Sequence, residues 1–129
     1  MLSRRVMLLG GLCAVAWSAA AQAAPVAPFS ADAFDAAVKQ GGPVLVHIHA
    51  AWCPICRAQK PILEKLLAEP RFGAMRAFEI DFDGDQPSVR KVEARVQSTL
   101  IVYKGGREVG RSVGERQPEW IEDLLEKAL

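Results

Sequence analysis

The sequence is poor in metal-ligating side chains, since its 129 residues include three cysteines and two histidines. A closed structural zinc site takes four ligands, usually supplied as two Cys or His pairs at short spacing. Cys53 and Cys56 form one such pair, and the sequence has no second pair at similar spacing. The pattern therefore does not match a closed structural zinc site.

The sequence also lacks an excess of charge of either sign. It has 16 Lys and Arg residues against 15 Asp and Glu residues, for a formal net charge of +1. Nucleic acids and anionic lipids attract proteins that carry a clear positive surplus. The balance therefore gives no electrostatic reason to expect either of them as a partner.

A long hydrophobic run is missing as well. The apolar segment Val6 to Ala16 is too short to span a bilayer comfortably, and Arg4 and Arg5 precede it. Ala21-Gln22-Ala23 then supplies the small-x-small pattern of a cleavage site. These features predict a secretory signal peptide over residues 1–23, with an uncleaved membrane anchor as the alternative.

Removal of that segment would leave a single domain over residues 24–129, which is long enough for one modest core. This domain would keep 14 basic and 15 acidic residues, and Cys53 and Cys56 would be its only cysteines. We therefore expect an exported protein without stable membrane association after the signal is removed.

The cysteine pair is the feature that carries chemistry. Cys53-Pro54-Ile55-Cys56 follows the apolar run Val44 to His49 and precedes the helix-like run Arg57 to Leu67. Two cysteines three apart at a strand-to-helix junction can open and close as a disulfide. Backbone N–H groups at the amino end of the helix favour the thiolate of Cys53. The pattern predicts redox use of the pair.

Two alternatives remain open for the same residues. Thiolates also bind soft metals, so Cys53, Cys56 and one of His47 or His49 could hold copper(I) or zinc. The pair could also be an inert structural bridge. Metal content of the reduced protein separates the metal-binding hypothesis from the redox one.

The periodicity of apolar residues and the positions of glycine and proline predict an α/β order of elements around a mixed sheet. The predicted elements are a helix capped by Ser30 and ended by Gly41, a strand Val44 to Ala50, a helix Arg57 to Ala68 containing Pro61, a strand Ala74 to Asp81, a helix Pro87 to Val96, a hairpin of Thr99 to Tyr103 with Glu108 to Val113, and a helix Pro118 to Leu129 with Trp120 on its apolar stripe.

Taken in order, these features resemble the thioredoxin family over residues 30–129. Trp52-Cys53-x-x-Cys56 is similar to the family's active site, Pro61 to its helix-bending proline, and Thr99 to Arg107 to the strand and turn that follow. The resemblance implies a thioredoxin-like α/β fold with a central mixed β-sheet flanked by helices on both faces. It also implies a thiol–disulfide oxidoreductase.

In such an enzyme Cys53, the more exposed cysteine, would form a mixed disulfide with the substrate and Cys56 would resolve it. No bound cofactor is required, because the electrons travel through the cysteines. The implied partners are protein thiols and disulfides, together with a membrane redox partner. We expect the enzyme to be a monomer and to act in the periplasm. Either direction of exchange is compatible with the sequence.

The site departs from the family pattern in the residues between the cysteines and in the loop facing them. Proline stands first in Pro54-Ile55, and Ser98 occupies the position of the family's cis-proline. A non-proline cis bond costs about 2.5–4 kcal/mol, so we expect a trans Gln97–Ser98 bond and a reshaped loop. The resemblance implies substrate contacts at Trp52, Pro54, Ser98 and Thr99.

The site also departs from the family pattern on the central strand. His47 aligns with the family's buried acidic residue and His49 with an aromatic position, and strand alternation places both imidazoles on one face near the cysteines. A histidine on an apolar strand is often only a hydrogen-bonded core residue. For His47 we also expect a catalytic role in proton exchange with Cys56, because imidazole titrates near neutral pH.

Overall fold

The computed structural model describes residues 26–129, so the predicted signal peptide lies outside the described residues. Its elements, in chain order, are β1 (Ala27–Pro28), α1 (Ala31–Gln40), β2 (Val44–His49), α2 (Pro54–Leu67), a short 3-10 turn (Pro70–Phe72), β3 (Arg76–Asp81), α3 (Gln86–Lys91), β4 (Thr99–Lys104), β5 (Arg107–Val113) and α4 (Pro118–Glu126).

Strand β2 lies at the centre of a five-stranded mixed sheet within residues 26–129, in the order β1-β3-β2-β4-β5. It runs parallel to β3, with His47 opposite Glu79, and antiparallel to β4, with His47 opposite Leu100. β1 pairs parallel with β3, and β5 pairs antiparallel with β4. The mixed sheet expected from the sequence is confirmed.

The two faces of the sheet carry separate apolar clusters because neighbouring strand residues point in opposite directions. Val44, Val46 and Ile48 pack with residues of α1 and α3, whereas Leu45 packs with residues of α2 and α4. The predicted cover of helices on both faces is therefore confirmed. His47 points to the same side as Leu45, beneath α2.

Several local signals act as the sequence predicts. The Ser30 side chain accepts a hydrogen bond from the Ala33 amide at 3.4 Å and caps α1. Gly41 ends that helix in the left-handed region, with φ of 79°. Gly105 and Gly106, at φ of 64° and 83°, form the tight turn that joins β4 to β5.

Other parts of the chain differ from the sequence-based expectation. β1 was not predicted, because it has only two residues and includes Pro28, although an edge position tolerates proline. The predicted helix to Val96 ends at Lys91, since Glu93 adopts a positive φ of 56°. Trp120 lies outside the apolar stripe of α4 and is 66% exposed, whereas Leu124 is buried.

Within residues 26–129, no helix combines the length and the apolar character that crossing a bilayer requires.

Candidate active site

Cys53 is the N-cap residue of α2, which begins at Pro54, three residues earlier than predicted. The early start places Cys56 in the first helical turn, where its backbone N–H has no partner within the helix. Cys53 Sγ accepts this N–H at 3.2 Å. A sulfur in this position faces the positive end of the helix dipole.

Both cysteines are free thiols, and both are buried, at 2% exposure for Cys53 and 0% for Cys56. Cys53 is the more exposed of the two, as expected, although neither thiol is open to solvent. Its neighbours Trp52 and Pro54 are the exposed residues, and the Trp52 indole is 57% exposed. Trp52 Nε1 donates a hydrogen bond to Asp83 Oδ2 at 2.6 Å, which orients the ring beside the cysteines.

The two thiols differ in their electrostatic surroundings. Burial raises the pKa of Cys56 to about 11, and its interaction with Cys53 contributes in the same direction, against the lowering effect of the Ala50 and Ser98 amides. Cys56 is thus a neutral thiol near pH 7. It needs a proton acceptor before it can act as a nucleophile.

The loop before β4 has an unusual backbone at Ser98. No peptide bond within residues 26–129 is cis, so the expected trans Gln97–Ser98 bond is confirmed, and Ser98 takes a positive φ of 59°. The Ser98 amide donates to Ile48 O at 2.8 Å, and its carbonyl accepts from the Gly114 amide at 3.0 Å. These main-chain bonds fix a conformation that non-glycine residues seldom adopt.

The hydroxyls of the two loop residues predicted to contact a substrate are turned inward. Ser98 and Thr99 are 5% and 1% exposed. Ser98 Oγ donates to Gln97 O at 2.6 Å, and Thr99 Oγ1 donates to Val96 O at 2.8 Å. Neither hydroxyl contacts Cys53 within the described part of the chain, and the substrate contacts of Ser98 and Thr99 stay predictions.

His47 is a buried residue whose ring is hydrogen-bonded to α2. It is 2% exposed, and its Nε2 lies 3.0 Å from Gln59 Oε1. Burial lowers the pKa of His47 to about 4, an effect that the Gln59 hydrogen bond opposes and that the charges of His49 and Lys60 reinforce. The ring is therefore neutral near pH 7, contrary to the expectation of titration in that range.

Gln59 is the site residue that the sequence analysis missed. It is fully buried, one helical turn beyond Cys56, and its Nε2 donates to Ser98 O at 3.1 Å and to Glu115 O at 2.9 Å. One side chain thus joins α2 to β2 and to two loops. The signal available in the sequence was a glutamine at a position of α2 that belongs to the same buried stripe as Leu63.

His49 lies at the outer end of the same strand. Its ring centroid is 5.5 Å from that of His47, and its Nδ1 is 3.6 Å from Glu79 Oε1. Lys60 Nζ is 3.7 Å from the other oxygen of Glu79. His49 is thus paired with the partly exposed Glu79, and no direct hydrogen bond joins either histidine to a cysteine within residues 26–129.

The soft-metal hypothesis receives no support from this geometry. Among the described residues, no three side chains of His, Cys, Asp or Glu come close enough together to hold a metal ion. His47 Nε2 is directed to Gln59, and His49 Nδ1 to Glu79. In each histidine, one ring nitrogen therefore has a partner other than a cysteine.

A mixed sheet whose central strand leads into a cysteine pair at the amino end of a helix defines the thioredoxin class of fold and site. Comparison with known proteins agrees, since the thioredoxin family model matches residues 25–127. The chain belongs to the thioredoxin family and is a thiol–disulfide oxidoreductase.

Individual relatives give the same result. A thioredoxin of Chlamydia pneumoniae is 36% identical over 98 residues, which are 76% of this chain and 93% of that protein. The crystal structure of Trxlp from Edwardsiella tarda EIB202 is 40% identical, with a TM-score of 0.76 over 78% of this chain and 98% of that one. Malassezia sympodialis thioredoxin, at 24% identity, shares the fold with a TM-score of 0.69 over 81% and 94% of the two chains.

The Ser98 backbone generates a prediction about folding. Proline fixes φ near −65° and has no N–H, so Ser98→Pro loses the bond to Ile48 O and cannot adopt the native φ. We expect it to lower the free energy of unfolding by about 3 kcal/mol or more, measured by urea denaturation of the reduced protein. The matched variant Ser98→Gly accepts a positive φ and should stay within about 1 kcal/mol of the parent. Equal stability of both variants would contradict the argument.

Proposed function

We propose that this chain is an exported oxidoreductase that exchanges disulfides with protein thiols and disulfides through Cys53 and Cys56. The observation that carries the proposal is the position of Cys53 Sγ, which caps α2 and accepts the Cys56 amide at 3.2 Å. The same helix end that favours the Cys53 thiolate also keeps Cys56 in reach of the mixed disulfide.

The exchange runs in two steps when the dithiol form reduces a substrate. The Cys53 thiolate attacks one sulfur of the substrate disulfide, a mixed disulfide forms and the first substrate thiolate leaves. Cys56 then loses its proton and attacks Cys53 Sγ, which releases the second substrate thiolate and closes the Cys53–Cys56 disulfide. Two electrons pass from the dithiol to the substrate, and the reverse sequence oxidises a substrate dithiol.

His47 is the proposed proton acceptor of the second step. Cys56 has a raised pKa because it is buried, so its proton has to be removed before attack. His47 is neutral over the working pH range, and Gln59 connects its ring to the helix that carries Cys56. A neutral imidazole can act as a proton acceptor.

The location of the enzyme is proposed from residues 1–23. A basic start, a short apolar segment and Ala21-Gln22-Ala23 form the pattern of a secretory signal peptide. We propose that the mature chain acts as a monomer in the periplasm. There a membrane redox partner would restore the cysteine pair after each exchange.

The different roles proposed for Cys53 and Cys56 predict that their serine variants differ in whether they trap substrates as mixed disulfides. Cys56→Ser should accumulate mixed disulfides with its substrates, because attack by Cys53 occurs and resolution does not. Cys53→Ser should trap nothing and should lose exchange activity. Non-reducing electrophoresis followed by mass spectrometry measures both results, and trapping by Cys53→Ser alone would reverse the assignment.

The export proposal predicts a processed chain in the periplasmic fraction that begins at or close to Ala24. Amino-terminal sequencing of the fractionated protein checks this. Ala21→Leu with Ala23→Leu, which places large side chains at the small-x-small positions, should leave an unprocessed chain. Recovery of a full-length parent chain in the cytoplasm would contradict the proposal.

The role of His47 predicts a change in the pH profile of mixed-disulfide resolution, measured by stopped flow. In the parent the rate should fall as pH drops through about 4, where the His47 ring becomes protonated. His47→Leu should lose this acid limb and slow the step by about 10²-fold near neutral pH. Its rate should then rise with pH as Cys56 ionises by itself. His49→Leu should have a smaller effect, and an unchanged profile in His47→Leu would return His47 to a purely structural role.

A further inference from the structure

The orientation of the Gln59 amide follows from its three partners. Ser98 O and Glu115 O both lie at one end of the amide, at 3.1 Å and 2.9 Å, and carbonyl oxygens accept hydrogen bonds only. The NH₂ end must therefore face the two carbonyls, and Oε1 must face His47. If the amide were flipped, Oε1 would face the two carbonyl oxygens, and neither hydrogen bond could form.

The orientation of the amide fixes the position of the proton on His47. Gln59 Oε1 is an acceptor, so the His47 Nε2 that lies 3.0 Å from it must donate. A neutral imidazole carries one proton, and Nδ1 is then the nitrogen with the free lone pair. Within residues 26–129, no hydrogen bond occupies His47 Nδ1.

We propose that Gln59 is a positioning residue that holds the proton of neutral His47 on Nε2 and leaves Nδ1 to receive the proton released by Cys56. The inference deepens the proposed function by naming the accepting atom. Proton transfer converts the Cys56 thiol to a thiolate and the ring to an imidazolium. The Nε2–H to Gln59 bond is present before and after the transfer, so the buried network does not rearrange.

Charged and titratable groups on three elements, α2, β2 and β3, lie around His47. Lys60 and Cys56 belong to α2, His49 belongs to β2, and Glu79 lies opposite His47 on β3. Glu79 is paired with His49 and with Lys60, at 3.6 Å and 3.7 Å. The direct polar contact of the His47 ring is with Gln59, and the neighbouring charges act on it from a distance.

The first test uses the unaltered reduced protein, labelled with nitrogen-15 in histidine, near neutral pH. Ring nitrogens with and without a proton have well-separated resonances, so the spectrum identifies which nitrogen of His47 carries the proton. We expect the proton on Nε2 and a free lone pair on Nδ1. A proton on Nδ1 would overturn the inference without any need for a variant.

The second test is a titration of the His47 ring in Gln59→Met. This substitution removes the acceptor, whose hydrogen bond raises the pKa of His47, so we expect that pKa to fall. A purely packing role would leave the pKa of His47 at its parental value, and an unchanged or raised pKa would overturn the inference.

Lys60→Met is the matched control, because it makes the same substitution at the adjacent position of α2. Loss of the positive charge should raise the pKa of His47, opposite to the effect of Gln59→Met, and should leave the proton on Nε2. Movement of the proton to Nδ1 in this variant would contradict an assignment to Gln59.

Kinetics separate this inference from the proposed function. If Nε2 carries the proton and His47→Leu still resolves mixed disulfides at the parental rate, the assigned role of Nδ1 fails along with the role of His47. The redox function of the cysteines would stand in that case, because the trapping experiment tests it independently.

Discussion

The amino end of α2 is the constraint on which the rest of the site depends. The first N–H groups of a helix have no partners within it, and Cys53 Sγ meets one of them, the Cys56 amide. This contact gives the two sulfurs different surroundings. Cys53 Sγ caps the helix, whereas burial raises the pKa of Cys56 and keeps it protonated. The chemistry of the pair follows from this inequality.

A protonated Cys56 needs a proton acceptor, and we propose the buried His47 for that role. His47 lies on the central strand beneath α2, where removal from water lowers its pKa and keeps the ring neutral. A neutral buried imidazole is a base without the cost of burying a charge in the resting enzyme. Gln59 completes the arrangement, because a buried polar ring without a partner would destabilise the core.

The same glutamine connects the His47 ring to the loop before β4. Ser98 holds a positive φ, and its backbone groups are bonded to Ile48, Gly114 and Gln59. Strain of this kind persists where surrounding contacts determine the conformation. With its hydroxyl bonded to Gln97 O, Ser98 shapes the loop through its backbone. The exposed surface beside the cysteines includes Trp52, which Asp83 orients.

The sequence alone determined the order of the helices and of strands β2 to β5, and the place of the reactive pair, because these depend on local patterns. Ser30 and Gly41 mark the ends of α1, the glycine pair marks the hairpin, and the spacing of Cys53 and Cys56 indicates their chemistry. The trans bond before Ser98 also followed from local energetics.

Tertiary structure decided everything that depends on which groups meet across the core. The sequence could not show that Gln59 fills the space between His47 and two loops, because those loops are 39 and 56 residues away along the chain. Burial also decided the protonation of His47 and left Cys53 only 2% exposed. A local pattern specifies what a residue can do, whereas its solvent exposure and hydrogen-bond partners come from packing between distant segments.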